Sequence, residues 1–177
     1  MEKKLLLLRP TEAYILQIED YRREFLECGG SMDGAGSLRR CETGRAWLDH
    51  VERYSRPETV PEGRVVSTQY ILVREEDDRL LGMLQLRQTI EHPYLKQYGG
   101  HIGYSVRPSE RRRGYAKRML AMALDEARAL GLERVMITCA SDNEGSRRTI
   151  LANGGVYEYT VHEPDENIML ERYWITL

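Results

Sequence analysis

The sequence predicts a three-layer α/β domain with a mixed, mostly antiparallel sheet of about seven strands and helices on both faces. Three observations carry this prediction. Segments of strand character alternate with amphipathic helical segments along the chain. Three consecutive strand-like segments between residues 67 and 106 predict an antiparallel meander. A long amphipathic segment then precedes a fully apolar one, which is typical of a helix packed on a sheet.

The first third of the chain predicts one strand and two helices. Leu5 to Leu8 is a short apolar run, and Arg9-Pro10 after it favours extended backbone. From Thr11, the predicted cap, to Cys28, apolar residues recur at spacings of three and four, as on one face of a helix. Gly29 to Ser37 has loop composition, and a second helix is predicted from about Arg40 to Tyr54.

The middle third predicts the meander and the strongest helix. Ser67 to Glu75 and Arg79 to Glu91 are rich in β-branched and aromatic residues around an acidic turn, which predicts a hairpin. A third strand is predicted from about His101 to Val106. The helix is predicted from about Gly114 to Leu130, because small and apolar residues form one stripe along it.

The last third predicts a strand, a short helix and a terminal hairpin. Arg134 to Ala140 reads as a buried strand. Ser141 and Glu144 have the spacing of a capping box, which predicts a helix that ends at Asn153-Gly154-Gly155. Two terminal strands are predicted over Val156 to His162 and Ile168 to Leu177.

Composition limits the classes of function. At 177 residues, 41% hydrophobic and 31% charged, the chain predicts one domain spanning residues 1–177. The formal net charge of −2 argues against nucleic acid and membrane partners. The three cysteines include no Cys-x-x-Cys pair, which argues against a disulfide framework and a thiolate metal site. Leu5 to Leu8 is too short for a signal-peptide core or a membrane span, so we expect a cytoplasmic protein.

One segment has the character of an anion site. A strand ends at Val106, a basic loop carries Arg111 to Arg113, and a helix begins at Gly114. The first N–H groups of a helix lack internal partners, and Gly114 and Ala116 allow a phosphate to approach the backbone. The loop lacks the Gly-Lys-Ser/Thr of a Walker motif and the three glycines of a Rossmann motif. It therefore predicts a pyrophosphate site of another kind.

At this segment the chain resembles the GNAT superfamily of acyl-CoA-dependent N-acyltransferases. Arg111-x-x-Gly114-x-Ala116 matches the signature Gln/Arg-x-x-Gly-x-Gly/Ala of that family. Downstream, Asn143-x-x-Ser146 is similar to its second cofactor-contacting segment. The predicted order of strands and helices is similar to the family topology from about Leu5 to Leu177.

The resemblance implies that acetyl-CoA lies between the strand that ends at Val106 and the strand that ends at Ala140. Backbone groups around Tyr104 would pair with the pantetheine arm, and helix N–H groups would hold the pyrophosphate. A primary amine would attack the thioester directly. The residues implied in cofactor binding are Ser105, Val106, Arg111, Arg112, Arg113, Gly114, Tyr115, Ala116, Asn143 and Ser146.

The acid and the base are less defined. Many family members have a general-acid tyrosine seven residues after the asparagine, where this chain has Ile150. Tyr104, Tyr157 or water is the expected acid, if the leaving thiolate needs one. His101 is the expected base, because it begins a strand that lines the implied cleft and histidine titrates near neutrality. Tyr98 and His92 are weaker candidates for the base.

Each of these assignments has a structural alternative. The arginine run could be a solvated turn or a nucleic-acid patch, and Asn143 could only cap a helix. His101 could be a satisfied strand histidine and Tyr104 a core residue. Cys139, on an apolar strand, is expected to be a small buried hydrophobe and not a nucleophile.

Two function classes remain open. The first is transfer of an acetyl group from acetyl-CoA to a primary amine of an unidentified small molecule or peptide. The alternative is a catalytically silent acyl-CoA-binding module, because Ile150 stands in the acid position. The resemblance implies that the acceptor site is formed by the first two helices, the loop Gly29 to Ser37, residues 92–99 and the last hairpin. None of these segments contains a motif that identifies the acceptor. The 11 tyrosines leave two alternatives open, because exposed members could line either an acceptor pocket or the interface of a homodimer.

Overall fold

The computed structural model describes residues 4–177, and its elements follow the hydrophobic pattern of the chain. The bounds of the strands and α-helices are β1 Leu5–Leu8, α1 Ile15–Cys28, α2 Gly44–Tyr54, β2 Ser67–Arg74, β3 Arg79–Arg87, β4 Ile102–Val106, α3 Tyr115–Ala129, β5 Arg134–Ala140, α4 Glu144–Ala152, β6 Val156–Glu163 and β7 Ile168–Thr176.

The predicted fold class is confirmed, with one addition. The seven strands form two sheets, ordered β1-β2-β3-β4 and β5-β7-β6, and each ladder within residues 4–177 is antiparallel. The predicted meander is β2-β3-β4, and the predicted terminal hairpin is β6-β7. The division of the sheet falls between β4 and β5.

Helices cover both faces, as predicted. On β2, Ile71 and Val73 join a core that includes Trp47 of α2, whereas Leu72 joins a core that includes Leu120 of α3. This alternation follows from the two-residue period of a strand. The helices α1 and α2 therefore pack on one face, and α3 and α4 pack on the other. Within residues 4–177, no helix combines the length and apolar character that a membrane span requires.

Three predicted boundaries were wrong. Helix α2 begins at Gly44 and not near Arg40, because Thr43 is the cap and its Oγ1 accepts a hydrogen bond from an N–H of the first turn. The predicted capping box at Ser141 is absent, because Asn143 caps α4. Strand β3 ends at Arg87 and not at Glu91, because Arg87 pairs with the first residue of β2 and no partner strand continues beyond it.

The glycine-rich loop between α1 and α2 lies directly on β4. A Cβ on Gly34, whose φ is +69°, would stand 2.1 Å from the Gly103 carbonyl oxygen, so this position requires glycine. Trp47 Nε1 donates to Ala35 O at 2.7 Å, and Gln69 Nε2 donates to Gly34 O at 2.7 Å. These bonds hold the loop against the strand.

The linker between β3 and β4 folds over the second sheet. Arg172 Nη1 of β7 donates to the carbonyl oxygens of Lys96 at 2.7 Å and Gln97 at 2.9 Å. Thr138 Oγ1 of β5 donates to Tyr98 O at 2.7 Å. The linker is therefore tied to both strands and forms a wall beside them.

Candidate functional site

The strands β4 and β5 meet at one end and share no ladder beyond it. His101 N–H donates to Met136 O at 2.8 Å, and Met136 N–H donates to His101 Nδ1 at 2.9 Å. We call this the His101–Met136 link, and the space between the strands beyond it the β4–β5 gap. Helices α3 and α4 begin at the far ends of these two strands, so their N-termini flank the gap.

Strand β4 presents a free backbone edge to the gap. Arg107 N–H donates to Leu81 O of β3 at 2.8 Å, which fixes the direction of the alternating backbone groups. Because these groups alternate along a strand, Tyr104 and Val106 direct theirs away from β3 and toward the gap. Arg111 Nε donates to Val106 O at 3.2 Å. The N–H groups of Tyr104 and Val106 remain available to an extended ligand.

The loop that follows β4, residues 107–114, has backbone geometry that favours an anion, and we call it the anion loop. Arg112 at φ 61° and Gly114 at φ +79° both adopt the left-handed conformation. The N–H groups from Arg112 to Lys117 donate to no acceptor within residues 4–177. A Cβ on Gly114 would meet nothing within 4 Å, so the space beside this backbone is open. Unpaired N–H groups at the positive end of a helix favour a bound phosphate.

A buried carboxylate anchors this loop. Glu110 is 6% exposed and forms ion pairs with Arg74 Nη1 at 3.2 Å, Arg79 Nε at 3.0 Å and Arg113 Nη1 at 3.3 Å. Burial alone would raise the pKa of Glu110, but the hydrogen bonds from Arg74 and Arg79 and the nearby positive charges outweigh it and lower the pKa. Glu110 therefore stays ionised and joins the loop to β2 and β3.

The three predicted arginines have different surroundings. Arg111 lies over the Phe25 ring, with its guanidinium carbon 5.3 Å from the ring centroid. Arg113 is paired with Glu110. Arg112 is exposed, and its side chain has no ion pair or hydrogen bond within the described part of the chain. Of the three arginines, Arg112 is thus the one whose side chain remains available to pair with a ligand.

Two hydroxyl groups meet across the gap. The Tyr104 hydroxyl of β4 and Ser146 Oγ of α4 are 2.8 Å apart and form a hydrogen bond. Burial is the main cause of a raised pKa at Tyr104, so the phenol is protonated at neutral pH. Burial also raises the pKa of the Cys139 thiol on β5 to about 11, which agrees with its expected inert role. The Tyr104–Ser146 pair is therefore an uncharged proton-bearing group inside the gap.

Position 150 is closed to the gap. Ile150 is fully buried and belongs to the core cluster beneath α3. Asn143 is exposed, and its Oδ1 accepts the Ser146 N–H at 3.1 Å as the cap of α4. The Asn143 amide nitrogen is the part of this side chain that a ligand could still use.

His101 is engaged in the His101–Met136 link. Its Nδ1 already accepts a hydrogen bond, so this nitrogen cannot also take a proton from a substrate. Burial, followed by the charges of Arg87 and Arg134, lowers the pKa of His101 to about 4. At neutral pH the ring is uncharged and joins β4 to β5.

Two predicted cofactor residues direct their side chains elsewhere. Ser105 Oγ forms a 2.9 Å hydrogen bond with the Tyr21 hydroxyl of α1. The Tyr115 hydroxyl accepts a hydrogen bond from Arg74 Nη1 at 3.1 Å within the core. At both positions only the backbone could contact a ligand in the gap.

The sequence did not reveal the residues that hold the site together. Glu110, buried Arg107 and Met136 each act through partners far along the chain. Arg107 is fully buried and its Nη1 contacts Asp20 at 2.7 Å and Glu24 at 3.1 Å, which ties α1 to the strand end. A Glu directly before a basic run is the one local signal that could have suggested an anchor.

Known structures share this fold. The ribosomal-protein-S5-alanine acetyltransferase from Vibrio fischeri has a TM-score of 0.73 at 16% identity, over 99% of this chain and 95% of that one. RimJ from Mycobacterium smegmatis, solved in complex with a CoA disulfide, has a TM-score of 0.73 at 20% identity, over 97% and 81%. A chimera of the spermidine N-acetyltransferase SpeG from Vibrio cholerae and hSSAT has a TM-score of 0.64 at 15% identity, over 97% and 95%. At these identities the likeness shows the fold.

Sequence comparison assigns the family. No curated protein sequence gives a significant match. The model of the GNAT acetyltransferase family, however, matches residues 34–154, a range that runs from the loop over β4 to the end of α4 and contains the whole β4–β5 gap. Since this match covers more than half of the chain, the protein belongs to the acetyltransferase (GNAT) family.

Proposed function

We propose that the protein transfers an acetyl group from acetyl-CoA to a primary amine of a small molecule or peptide, by direct attack within a ternary complex. The observation that carries the proposal is the free edge of β4, which leads directly into the unpaired N–H groups from Arg112 to Lys117. An extended pantetheine arm and a pyrophosphate need these two features in this order.

The residues present fit acetyl-CoA. The N–H groups of Tyr104 and Val106 can pair with pantetheine amides as an added strand would. The open space beside Gly114 admits a phosphate, and Arg112 supplies an uncommitted positive charge. Acetyl-CoA supplies an activated acyl group as a thioester. The CoA disulfide held by the Mycobacterium smegmatis relative supports the same ligand class.

We assign the proton for the leaving thiolate to the Tyr104–Ser146 pair. The Tyr104 hydroxyl can donate to Ser146 Oγ at 2.8 Å or to Ser146 O at 3.4 Å, so the hydrogen left for the sulfur is that of the Ser146 hydroxyl. It is donated as the carbon–sulfur bond breaks and the carbon–nitrogen bond forms. This pair takes the role that Ile150 cannot fill. The attacking amine loses its own proton to water, because the acceptor nitrogen of His101 is occupied. We therefore assign His101 to positioning the strands.

The proposal is tested by two measurements on the wild-type protein. Calorimetry measures acetyl-CoA binding, and thiol release from acetyl-CoA is followed with polyamines, aminoglycosides, amino acids and peptides as acceptors. We expect binding and acceptor-dependent thiol release. Binding without thiol release for every acceptor would instead support the silent binding module, and failure of the folded protein to bind acetyl-CoA would refute both.

A further inference from the structure

A cavity of about 330 Å³ opens beside the His101–Met136 link, at the closed end of the β4–β5 gap. Its walls come from the start of β5, the end of β7 and the linker between β3 and β4. Nothing in the proposed binding of acetyl-CoA uses it, because the anion loop lies at the opposite end of β4. Three of its lining residues, His101, Arg134 and Trp174, define its chemistry.

His101 contributes a directed hydrogen-bond donor. The residue is 6% exposed, and its Nδ1 accepts the Met136 N–H. In the neutral ring the hydrogen is therefore on Nε2. This N–H has no hydrogen-bond partner within residues 4–177, although the ring lines the cavity. The Nε2–H group is therefore free to donate to a ligand that brings an acceptor into the cavity.

Arg134 contributes an unpaired positive charge. Its guanidinium carbon lies 4.1 Å from the centroid of the Trp174 ring, which fixes the plane of the group. Within the described residues it forms no ion pair. The other cations at the cavity are neutralised, since Lys96 Nζ is 3.2 Å from Glu91 and Arg172 Nε is 2.9 Å from Glu158. Of the Lys and Arg residues that line the cavity, Arg134 is therefore the one without an ion pair within the described residues.

We propose that this cavity binds a carboxylate of the amine acceptor, with His101 Nε2–H and the Arg134 guanidinium as its donors. A carboxylate carries one charge and two acceptor oxygens, which matches one unpaired guanidinium and one neutral N–H. A phosphate dianion would leave a charge without a partner. The inference rests on the proposed function for the amine, but the carboxylate site itself stands on the geometry of the cavity.

The position of the cavity also sets the size of the acceptor. Tyr104 lies three residues after His101, which directly precedes β4, so the two are roughly 10 Å apart along the chain. An extended tripeptide spans about the same distance. The acceptor class that fits is therefore a short peptide with a free C-terminus, whose N-terminal amine reaches the Tyr104–Ser146 pair while its carboxylate reaches Arg134.

The test compares triglycine with triglycine amide, which differ only in the carboxylate. In thiol-release assays of the wild-type protein we expect kcat/KM for triglycine to exceed that for the amide by about tenfold, as for one charged hydrogen bond. Arg134→Gln should remove this difference. Arg128→Gln is the matched control, because Arg128 is exposed on α3 and, within residues 4–177, pairs only with Asp125. Equal kcat/KM values in the wild type, or an equal loss for both peptides in Arg134→Gln, would overturn the proposal.

A binding measurement separates this proposal from the proposed function. Trp174 lies against Arg134, so triglycine should change the tryptophan emission, and triglycine amide should not. Trp174→Phe should remove the change, since the second tryptophan, Trp47, is fully buried elsewhere in the core. If no acceptor gives thiol release but triglycine still changes the emission, the transferase proposal fails and the carboxylate site stands. No difference between the two peptides in emission would refute the site.

Discussion

At the scale of single residues, the anion loop depends on backbone that only glycine adopts without strain. Gly114→Val places a branched side chain in the open space beside the unpaired N–H groups, so we expect acetyl-CoA affinity to fall by more than about tenfold. Gly131→Val is the matched control. Gly131 has a φ of +80° and a similarly open surrounding, but it follows the other end of α3.

Calorimetry on the two folded variants decides the assignment. Both substitutions carry a comparable cost of about 1–2 kcal/mol for the left-handed backbone, so a difference in acetyl-CoA affinity reports the ligand and not the strain. Unchanged affinity in Gly114→Val would remove the loop from the site.

The hydroxyl pair predicts a second effect at this scale. Ser146→Ala and Tyr104→Phe should each lower kcat by about 10²-fold, because the first removes the donor to the leaving thiolate and the second removes the hydroxyl that orients it. Acetyl-CoA affinity should change little. The double variant should lose little more than either single one, since the two hydroxyls act as one donor.

Tyr157→Phe provides the control for that experiment. Its hydroxyl bonds to Thr160 Oγ1 at 2.8 Å on the exposed strand β6 and takes no part in the Tyr104–Ser146 hydrogen bond. Thiol release at saturating acetyl-CoA measures kcat for all variants. A large loss in Tyr157→Phe together with a normal rate in Ser146→Ala would transfer the acid role to Tyr157.

At the scale of elements, the His101–Met136 link predicts a pH-dependent stability. His101 has a pKa of about 4 in the fold and about 6.5 when unfolded, so the unfolded chain binds the proton first as the pH falls. The stabilising effect of the neutral ring is complete above pH 6.5 and is lost between pH 6.5 and 4. The loss amounts to about 3 kcal/mol.

His101→Asn tests this effect, because an amide oxygen can accept the Met136 N–H but does not titrate. Urea unfolding of wild type and variant between pH 7 and 4 should show the difference in stability shrinking as the pH falls. Carboxylates titrate in both proteins and cancel in the comparison. A constant difference across this range would show that His101 titrates normally.

Most elements could be predicted from the sequence because periodicity and turn residues act locally. The cap of α4 was missed because Ser141 and Asn143 are both good caps, and only the loop geometry selects Asn143. The separation of β4 from β5 could not be predicted from the sequence, since it depends on contacts between segments that are distant along the chain. The same holds for the Tyr104–Ser146 pair, whose members are 42 residues apart.

At the scale of the whole molecule, ion pairs of buried residues connect the β1–β4 sheet and helix α1 to the candidate site. Glu110 connects β2 and β3 to the anion loop, and Arg107 connects α1 to the end of β4. Local sequence predicted the anion loop, because its motif is contiguous. It did not distinguish Arg112 from Arg113, because the ion pair of Arg113 is visible only in the folded chain.

Arg107 supports the prediction for the whole fold. It is fully buried and donates to Asp20, Glu24 and two backbone carbonyls, so Arg107→Ala removes four hydrogen bonds that join α1 and β3 to the end of β4. We expect a loss of about 3 kcal/mol in the free energy of unfolding. Arg128→Ala, which breaks only an exposed pair, should lose less than about 1 kcal/mol. Urea denaturation measures both, and similar small losses would show that the Arg107 contacts contribute little to holding α1 against the strand that carries the site.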